Sequence, residues 1–539
     1  MLNRSMKLVI VPVILLCILL AGCSKSASLT VEDEDKNVQS DRAELILAIG
    51  SEPEDGFDPT TGWGRYGSPL FQSTLLKRNH DLKIVNDLAQ RYEVSDDAKV
   101  WTVKIRKDVK FSDGQPLTPA DVVFTFEKIA QNASTIDLTN MVSVQSQGDD
   151  TVIFTLKESQ STFISLLIST GIVPKHAYGD GYAGNPIGSG PYQLVQWDKG
   201  QQVIVKLNPE YYGKVPFFKK LTFVFLNEDA SFASAKTGNV DVAYIVSSLS
   251  NQTIEGMHIE DVKTVDNRGI MFPYVPSGGT TKDGYPIGND VTSDIAIRRA
   301  VNVAIDRQKL VDGVLNGYGT PAYSANDNLP WWNPETVIQD GKIDEAKQLL
   351  TDAGWVDRNN DGIAEKGNLQ AEFTMLYPSG DMTRQSLALA TADMVKSAGI
   401  QINVEGKSWE EIEKMMHSDA VLLGFGSHDP LEMYNIYSTD YQGVEYYNPG
   451  YYSNSVVDEW MQKAMEALTE VEALEYWKNA QWDGQTGLSG LGDTPWAWLV
   501  NIDHLYLVND KLDIGKQRIQ PHTHGWLVTD NIEEWRWEE

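Results

Sequence analysis

Two kinds of hydrophobic periodicity alternate along the chain and predict strands and helices in turn. Residues 100–106 (VWTVKIR) place apolar side chains at every second position, which predicts a half-buried strand. Residues 118–129 open with Thr118, a good N-cap residue, and Pro119, which suits the first position of a helix. The apolar side chains that follow at helical spacing are Val122, Val123, Phe126 and Ile129.

Further helices are predicted in the second half of the chain. Residues 293–305, 306–319 and 344–355 each begin with Ser or Asp and carry an apolar stripe. Residues 456–481 predict one long helix. Because strands and helices are intermixed and no repeat of solenoid length occurs, the sequence predicts an α/β fold.

The N-terminus has the pattern of a secretory signal. Arg4 and Lys7 precede an apolar run at residues 8–20, which is too short to cross a bilayer. The run ends in the sequence LAGC, which resembles the bacterial lipobox. This resemblance implies that Cys23 is lipidated after residues 1–22 are removed. An ordinary signal peptide with an accidental cysteine is the alternative.

The mature chain expected from this processing has no thiol besides Cys23, because the other cysteine, Cys17, lies in the removed segment. Disulfides, thiolate metal sites and a cysteine nucleophile are therefore excluded. Residues 23–41 are polar and acidic, and they predict a flexible tether. Ser24 after the cysteine favours the surface of a Gram-positive cell, with the periplasm as the alternative.

The composition describes an acidic globular protein. Apolar residues make up 42% and aromatic residues 10% of the chain, which argues for folded domains rather than disorder. The net charge of −30 argues against nucleic acid and anionic lipid as partners, since both attract basic surfaces. No segment after the signal has the length of an apolar membrane span, so the lipid alone is expected to attach the protein.

Common catalytic and metal-binding motifs are incomplete in this sequence. Residues 405–408 (EGKS) lack the preceding glycine of a phosphate loop, and residues 487–491 (GLSGL) lack the last glycine of a nucleophile elbow. Residues 357–368 imitate a calcium loop, but the twelfth position holds Asn368 instead of a bidentate glutamate. A polar hairpin is the alternative there. We therefore expect no enzymatic activity and no required cofactor.

Six longer stretches carry a family resemblance. They are residues 88–129 (LAQRYEVSDDAKVWTVKIRKDVKFSDGQPLTPADVVFTFEKI), 186–197 (PIGSGPYQLVQW), 207–216 (LNPEYYGKVP), 236–245 (KTGNVDVAYI), 297–322 (IRRAVNVAIDRQKLVDGVLNGYGTPA) and 346–363 (AKQLLTDAGWVDRNNDGI). In this order they resemble the family 5 extracytoplasmic solute-binding proteins, which serve ABC importers for peptides, nickel chelates and related solutes. The resemblance extends from about residue 45 nearly to the C-terminus.

The resemblance implies the two-lobed fold of periplasmic binding proteins, in which two α/β lobes joined by a hinge close over a ligand. The first lobe is expected to comprise residues 42–265 and 504–539, and the second lobe residues 266–503. An extra subdomain, at about residues 78–182, is expected on the first lobe. Such a receptor works by population shift, because a ligand that bridges the lobes stabilises the closed state that the permease recognises.

The segment GFGSHDPLEMYNIY, residues 424–437, bears on the identity of the ligand. In peptide-binding members of the family, an aspartate three residues before the acidic residue of this motif holds the free amine of the peptide. Here Asp429 is preceded at that distance by Gly426. Loss of this charge-assisted bond disfavours the usual peptide mode. Nickel-binding members also lack that aspartate and hold a metal chelate with histidine and arginine.

Three histidines are candidate metal ligands. His428 offers an imidazole, the commonest protein ligand of nickel-like ions. His522 and His524 in QPHTHGW would point to the same side of a strand. As the alternative, His428 caps a turn and the other two are solvated surface residues. The favoured ligand is nickel or a similar ion carried by a small chelator such as free histidine, with one or two protein histidines completing its coordination.

Five further residues are candidates for the ligand pocket. Trp63, Arg65 and Tyr66 belong to GWGRYG, in the N-terminal loop that lines the ligand in the family, and plain packing between the lobes is the alternative. Arg268 lies where the chain is expected to cross between lobes and could pair with a ligand carboxylate. Tyr434 could supply an aromatic wall.

The predicted function is therefore that of a surface-anchored lipoprotein that captures a nickel chelate and delivers it to an ABC permease. A receptor for dipeptides or oligopeptides is the alternative of the same class. A ligand sensor for a membrane signalling receptor is the alternative of another class. The expected partners are the permease and ATPase subunits, and the receptor itself is expected to be a monomer.

Overall fold

The computed structural model describes residues 42–53, 55–67, 69–131, 136–522 and 525–538. The predicted signal peptide, Cys23, the tether and His524 lie outside these residues. From Ala43 onward the described residues form one unit. None of the helices in these ranges is long and apolar enough to cross a membrane.

A seven-stranded mixed sheet organises the first lobe. From one edge to the other, its strands are Met257–Val262, His504–Asn509, Val242–Ile245, Glu44–Ala48, Lys220–Val224, Gln202–Leu207 and Tyr192–Asp198. The strand at Glu44–Ala48 runs parallel to both of its neighbours, whereas all other pairs are antiparallel. Leu45 and Leu47 on this central strand are buried in the lobe's main core.

A six-stranded mixed sheet organises the second lobe. From one edge to the other, its strands are Gly319–Pro321, Trp496–Ile502, Asn267–Met271, Ala420–Leu423, Glu372–Pro378 and Gln401–Lys407. The strand at Glu372–Pro378 is parallel to both neighbours, and the remaining pairs are antiparallel. Every residue of Trp496–Ile502 is buried, as expected for a strand that is covered on both faces.

A four-stranded antiparallel sheet lies within residues 78–182, where the extra subdomain is predicted. Its strands, in spatial order, are Ala89–Val94, Val100–Ile105, Thr151–Leu156 and Met141–Gln147. Four two-stranded sheets complete the described strands. Three are hairpins: Leu76–Arg78 with Ile84–Asn86, Gly279–Thr280 with Pro286–Ile287, and Glu365–Lys366 with Leu369–Gln370; the fourth pairs Leu512–Asp513 with the distant Arg536–Trp537.

The described α-helices cover the sheets and connect their strands. They are Pro119–Gln131, Phe163–Ser169, Glu228–Lys236, Ile295–Ala304, Arg307–Val314, Ile343–Asp352, Met382–Lys396, Trp409–Met415, Leu431–Tyr437, Ser455–Glu466 and Glu470–Gln481. The α/β class, the strand near residue 100 and the helices near residues 119, 295, 307 and 343 are thus confirmed.

The prediction of one helix over residues 456–481 is wrong. The structure has two helices here, Ser455–Glu466 and Glu470–Gln481, which are separated by residues 467–469. Thr469 caps the second helix, because its side chain accepts a hydrogen bond from the N–H of Glu472 at 3.3 Å. An N-cap of this kind marks the start of a new helix, even where the apolar periodicity of the sequence continues without a break.

The two large sheets are joined by chain crossings that lie side by side. The chain leaves the first lobe after Val262, enters the second lobe at Asn267, and returns between Ile502 and His504. The N–H of Ile502 donates to the carbonyl oxygen of Asp266 at 2.8 Å, so the two crossings are bonded to each other. The exact limits of the lobes stay a prediction, because the described residues from Ala43 onward form one unit.

Candidate ligand-binding cleft

A cavity of about 430 Å³ lies between the lobes. Residues from five separate parts of the chain line it. They include Arg65 and Tyr66 of the N-terminal loop, Arg78 of the first hairpin, Ser165 and Ser169 of the helix Phe163–Ser169, Ser427, His428, Asp429, Glu432 and Asn435 of the second lobe, and Arg518 and Asp530 of the C-terminal segment. A site built from both lobes is suited to a ligand that holds them together.

Two glycines let the segment at residues 424–437 lie close to Val265 and Asn267, where the chain crosses from the first lobe to the second. A Cβ atom on Gly424 would lie 2.6 Å from the carbonyl oxygen of Asn267, and one on Gly426 would lie 2.4 Å from that of Val265. Gly426 also has φ of +149°, which a residue with a side chain rarely adopts. Asn267 fixes the approach, since its side-chain oxygen accepts from the N–H of Phe425 at 3.0 Å.

His428 follows this approach and lies at the cavity wall. Its carbonyl oxygen accepts a hydrogen bond from Arg78 Nη2 at 2.9 Å. Its ring nitrogen Nε2 is buried and has no hydrogen-bond partner among the described residues. Burial, Arg518 and Arg78 together lower the pKa of His428 well below the usual value. The imidazole is therefore neutral at neutral pH, and one ring nitrogen lacks a partner.

Arg78 and Arg518 place two guanidinium groups at this end of the cavity, beside the carboxyl groups of Asp429 and Asp530. Burial lowers the pKa of Arg78, and the nearby Asp429 opposes that shift. Arg518 is paired with the carboxylate of Asp530. Asp429 itself begins the next helix, because its Oδ1 accepts from the N–H of Leu431 at 3.0 Å. Anionic groups of a ligand are the natural complement of this end.

A different set of groups surrounds Glu432. Burial raises the pKa of Glu432 to about 8, although the N–H groups of Gly426 and Ser427 oppose the shift. Burial raises the pKa of Tyr66 to about 12 and also raises that of Tyr447; Glu432 adds to both shifts and Arg65 opposes both, so the two phenols lie near these two charged side chains. This part of the cavity therefore combines a buried carboxyl group with aromatic hydroxyl groups.

A buried charge cluster lies behind the cavity, where the chain crosses between the lobes. Asp266 is 0% exposed and pairs with Arg268, which is 6% exposed. The same carboxylate lies 3.0 Å from His504 Nε2 and 2.5 Å from His522 Nδ1. Burial alone would raise the pKa of Asp266, but Arg268, His522 and His504 outweigh burial and lower it well below the usual value. The carboxylate of Asp266 thus contacts residues of three chain segments.

The lobes also touch at a point away from the cavity, which we call the interlobe latch. Ser159 and Ser161, just after the strand Thr151–Leu156, reach the C-terminal end of a helix in the second lobe. The three bonds are Ser161 Oγ to Ala464 O at 2.8 Å, Ser161 N–H to Met465 O at 2.8 Å, and Ser159 Oγ to Glu466 O at 2.6 Å. The last carbonyls of a helix have no partner within it, so the first lobe supplies their donors.

Sequence comparison assigns this architecture to a family. The pattern described as "Bacterial extracellular solute-binding proteins, family 5 Middle" matches residues 83–453, more than half of the chain. The chain belongs to this family. Members are receptors of ABC importers and not enzymes, so this family 5 protein binds a solute outside the cytoplasm and has a permease and an ATPase as its partners.

Individual relatives agree with this assignment. Protein XP55 of Streptomyces lividans is 33% identical over 485 residues, covering 87% of this chain and 85% of that protein. The oligopeptide-binding protein AppA of Bacillus subtilis is 28% identical over 423 residues, covering 73% and 75%.

Solved structures with the same fold include NikZ from Campylobacter jejuni in complex with Ni(L-His). It is 27% identical, with a TM-score of 0.79 over 93% of this chain and 100% of that one. The structure of AppA from Bacillus subtilis with a nonapeptide has a TM-score of 0.72 at 23% identity, over 92% and 99%. The two-lobed fold is therefore confirmed.

The candidate residues chosen from the sequence occupy different places in this family 5 protein. Arg65, Tyr66 and His428 line the cavity. Trp63 does not, since its indole N–H donates to the carbonyl oxygen of Pro69 at 2.7 Å. Tyr434 also lies off the cavity and donates to Asp440 Oδ2 at 3.1 Å.

The remaining candidates belong to the charge cluster or lie outside the described residues. Arg268 pairs with Asp266. His522 contacts the same carboxylate, and its backbone N–H donates to the carbonyl oxygen of Gly426 at 2.7 Å. His524 and Cys23 are not among the described residues. Metal ligation by any of the three histidines stays a prediction.

The cavity residues that were not selected from the sequence include Arg78, Arg518, Glu432 and Asn435. Glu432 and Asn435 carried a usable signal, because both interrupt the apolar side chains of a short helix that follows His428 at once. Arg78 and Arg518 carried none, since they are separated by 440 positions and meet only through the fold.

The acidic loop at residues 357–368 lies apart from the cavity. Ligand atoms of Asp357, Asp361 and Glu365 lie within 4.8 Å of one another. Asp357 already accepts from the N–H groups of Asn360 at 2.7 Å and Gly362 at 3.0 Å, which is the bonding of a polar turn. Calcium binding there stays a prediction.

Proposed function

We propose that this receptor captures nickel, or a similar ion, as a complex with a small chelator such as free histidine. The observation that carries the proposal is the partnerless Nε2 of the neutral His428 at the cavity wall. A buried nitrogen without a partner is unfavourable by about 1–3 kcal/mol. Turning the ring toward a metal ion in the cavity would remove this penalty.

The charges around His428 favour a chelate over the bare ion. Arg78 and Arg518 both act electrostatically on the imidazole. A divalent cation beside two guanidinium groups is repelled, whereas a chelate brings carboxylates that these groups can bind. Nickel alone is therefore a poor ligand, and nickel with histidine a good one. The likeness to NikZ, whose structure holds Ni(L-His), supports this choice.

The size of the cavity supports a small ligand. A volume of about 430 Å³ lies toward the lower end of the usual range for small-molecule sites, roughly 300–1,000 Å³. The AppA structure, in contrast, holds a nonapeptide. A short peptide is the second candidate, because the buried carboxyl group of Glu432 could receive a free amine.

Replacing His428 by Gln is expected to weaken binding of nickel with L-histidine by roughly tenfold to a hundredfold, as when one bond to a charged group is lost. Titration calorimetry measures the change. The control is His258→Gln, because His258 is an exposed residue paired with Asp510. Equal affinities of the wild type and His428→Gln would remove this residue from the metal site. Tight binding of a short peptide without any response to the chelate would favour the second candidate.

We also propose that the receptor is anchored by lipid at Cys23, on the surface of a Gram-positive cell. The support is the basic segment, the short apolar run and the LAGC sequence that precede the mature chain. Cys23→Ala is expected to move the protein from the membrane fraction to the soluble fraction, because no lipid can then be attached. Cys17→Ala is the control. Unchanged membrane partitioning of Cys23→Ala would contradict the anchor.

A further inference from the structure

Two hydrogen-bond acceptors on one helix line the same part of the cavity. Glu432 and Asn435 are three residues apart on the helix Leu431–Tyr437, so their side chains lie on one face. The amide oxygen Oδ1 of Asn435 is buried and has no hydrogen-bond partner among the described residues. An acceptor in this condition is complemented by an N–H donor of a ligand.

The carboxyl group of Glu432 is held in place but is not neutralised by a cation. Its Oε2 accepts a hydrogen bond from the N–H of Gly426 at 3.3 Å. No salt bridge involves Glu432 within the described part of the chain. Burial favours its protonated form and raises its pKa to about 8. A cationic or N–H-bearing ligand group would stabilise the ionised form and supply the missing partner.

The two ends of the cavity therefore differ in charge preference. Arg78 and Arg518 lie beside His428 and suit anionic groups. Glu432 lies beside Tyr66 and Tyr447, whose hydroxyl groups are uncharged at neutral pH. Carboxylates of a ligand are attracted to the arginines, whereas they carry no N–H group for Glu432 and Asn435 to accept. This difference between the two ends favours ligands that carry both anionic groups and N–H groups.

We propose that Glu432 and Asn435 form a specificity site that receives the N–H groups of an amino-acid-like ligand and rejects ligands that offer only carboxylates. The inference rests on the proposed function and deepens it. In a histidine chelate, the coordinated amine and the imidazole still carry N–H bonds that can reach these acceptors. A polycarboxylate chelate has no such bond, so it leaves the buried oxygens of Glu432 and Asn435 without a donor.

The test compares two chelates on the full mature protein by titration calorimetry. The probes are nickel with L-histidine, which carries N–H groups, and nickel with citrate, which carries none. The measured quantity is the ratio of the two affinities. Glu432→Gln is expected to lower this ratio roughly tenfold to a hundredfold, because a charge-assisted acceptor becomes a neutral amide. Glu413→Gln, at an exposed position outside the cavity, is the matched control and should leave the ratio unchanged.

The outcomes separate the inference from the proposed function. An unchanged ratio in Glu432→Gln, with tight histidine-chelate binding by the wild type, would overturn the inference alone. If the wild type binds neither chelate, trialanine and N-acetyltrialanine replace them. The inference then holds if Glu432→Gln lowers the preference for the free amine, although nickel uptake is contradicted. Binding of none of the four probes by the wild type would contradict both.

Thermal unfolding of each variant completes the test. Glu432→Gln removes a carboxyl group that burial disfavours, so the variant is expected to fold at least as well as the wild type near pH 8. A raised pKa means that the folded state holds its proton more firmly, and the stability linked to this group is lost as the pH rises through about 8. The wild type should therefore lose stability over this range more steeply than Glu432→Gln.

Discussion

Asp266→Asn is expected to destabilise the empty receptor by about 3–5 kcal/mol, the usual result of removing one partner of a buried ion pair. The substitution keeps the size of the side chain but removes the negative charge with which Arg268 pairs at the crossing. The guanidinium group, 6% exposed, would then remain buried without its anion. His504 and His522 contact different oxygens of this carboxylate, and an amide would keep one oxygen for the two of them. Differential scanning calorimetry without ligand measures the effect.

The control for this experiment is Asp149→Asn. Asp149 pairs with Lys107 at 2.9 Å, but 84% of its side chain is exposed. Pairs of this kind contribute about 0–1 kcal/mol, so the melting temperature should hardly change. A similar small change in Asp266→Asn would mean that the crossing strands are held by their backbone bonds and not by the charge cluster.

Gly426→Asp, which restores the aspartate of peptide-binding relatives, is expected to lower stability without producing a peptide receptor. The new Cβ would lie 2.4 Å from the carbonyl oxygen of Val265, and the backbone would keep a φ that disfavours side chains. The strained backbone and the overlap each contribute about 1–3 kcal/mol. The change would also disturb the N–H of residue 426, which bonds Glu432. Thermal unfolding and peptide calorimetry measure the two effects.

A matched control separates the two contributions. Gly278 has a similar φ of +140°, but nothing lies within 4 Å of an added Cβ. Gly278→Asp therefore includes the backbone strain and omits the overlap, and it should destabilise the protein by about half as much. Equal losses in both variants would show that the approach to Val265 tolerates a side chain. A gain of peptide affinity in Gly426→Asp would contradict the assignment of amine recognition to Glu432.

The sequence predicted the fold better than the cavity, for a physical reason. Strand and helix periodicity is local, and it predicted the strand near residue 100 and the helix that begins at Pro119. The division of residues 456–481 was also encoded locally, because Thr469 and Glu472 have capping-box spacing that the apolar pattern masked. Local chemistry was sufficient wherever the partners are close in sequence.

The cavity depends on contacts between distant segments, and these leave little trace in one sequence. His428 could be selected because of its residue type, but its arginine neighbours are 350 positions before it and 90 positions after it. Arg268 likewise has a role that depends on contacts with other parts of the fold. Its place at the crossing was predictable, whereas its pairing with Asp266 depends on how completely the crossing is buried. Burial decides whether a charged residue is available to a ligand, and it is a property of the whole fold.

The interlobe latch stabilises the closed arrangement through groups that do not contact a solute. Ser159 and Ser161 do not line the cavity, so their three bonds to the second lobe do not depend on which solute the cavity holds. When the lobes part, water replaces the serine donors, and the net change is only about 0.5–1.5 kcal/mol per bond. This small bias adds to the stabilisation that a solute between the lobes contributes. Two serines outside the cavity thereby favour the closed shape in the empty receptor as well as in the loaded one.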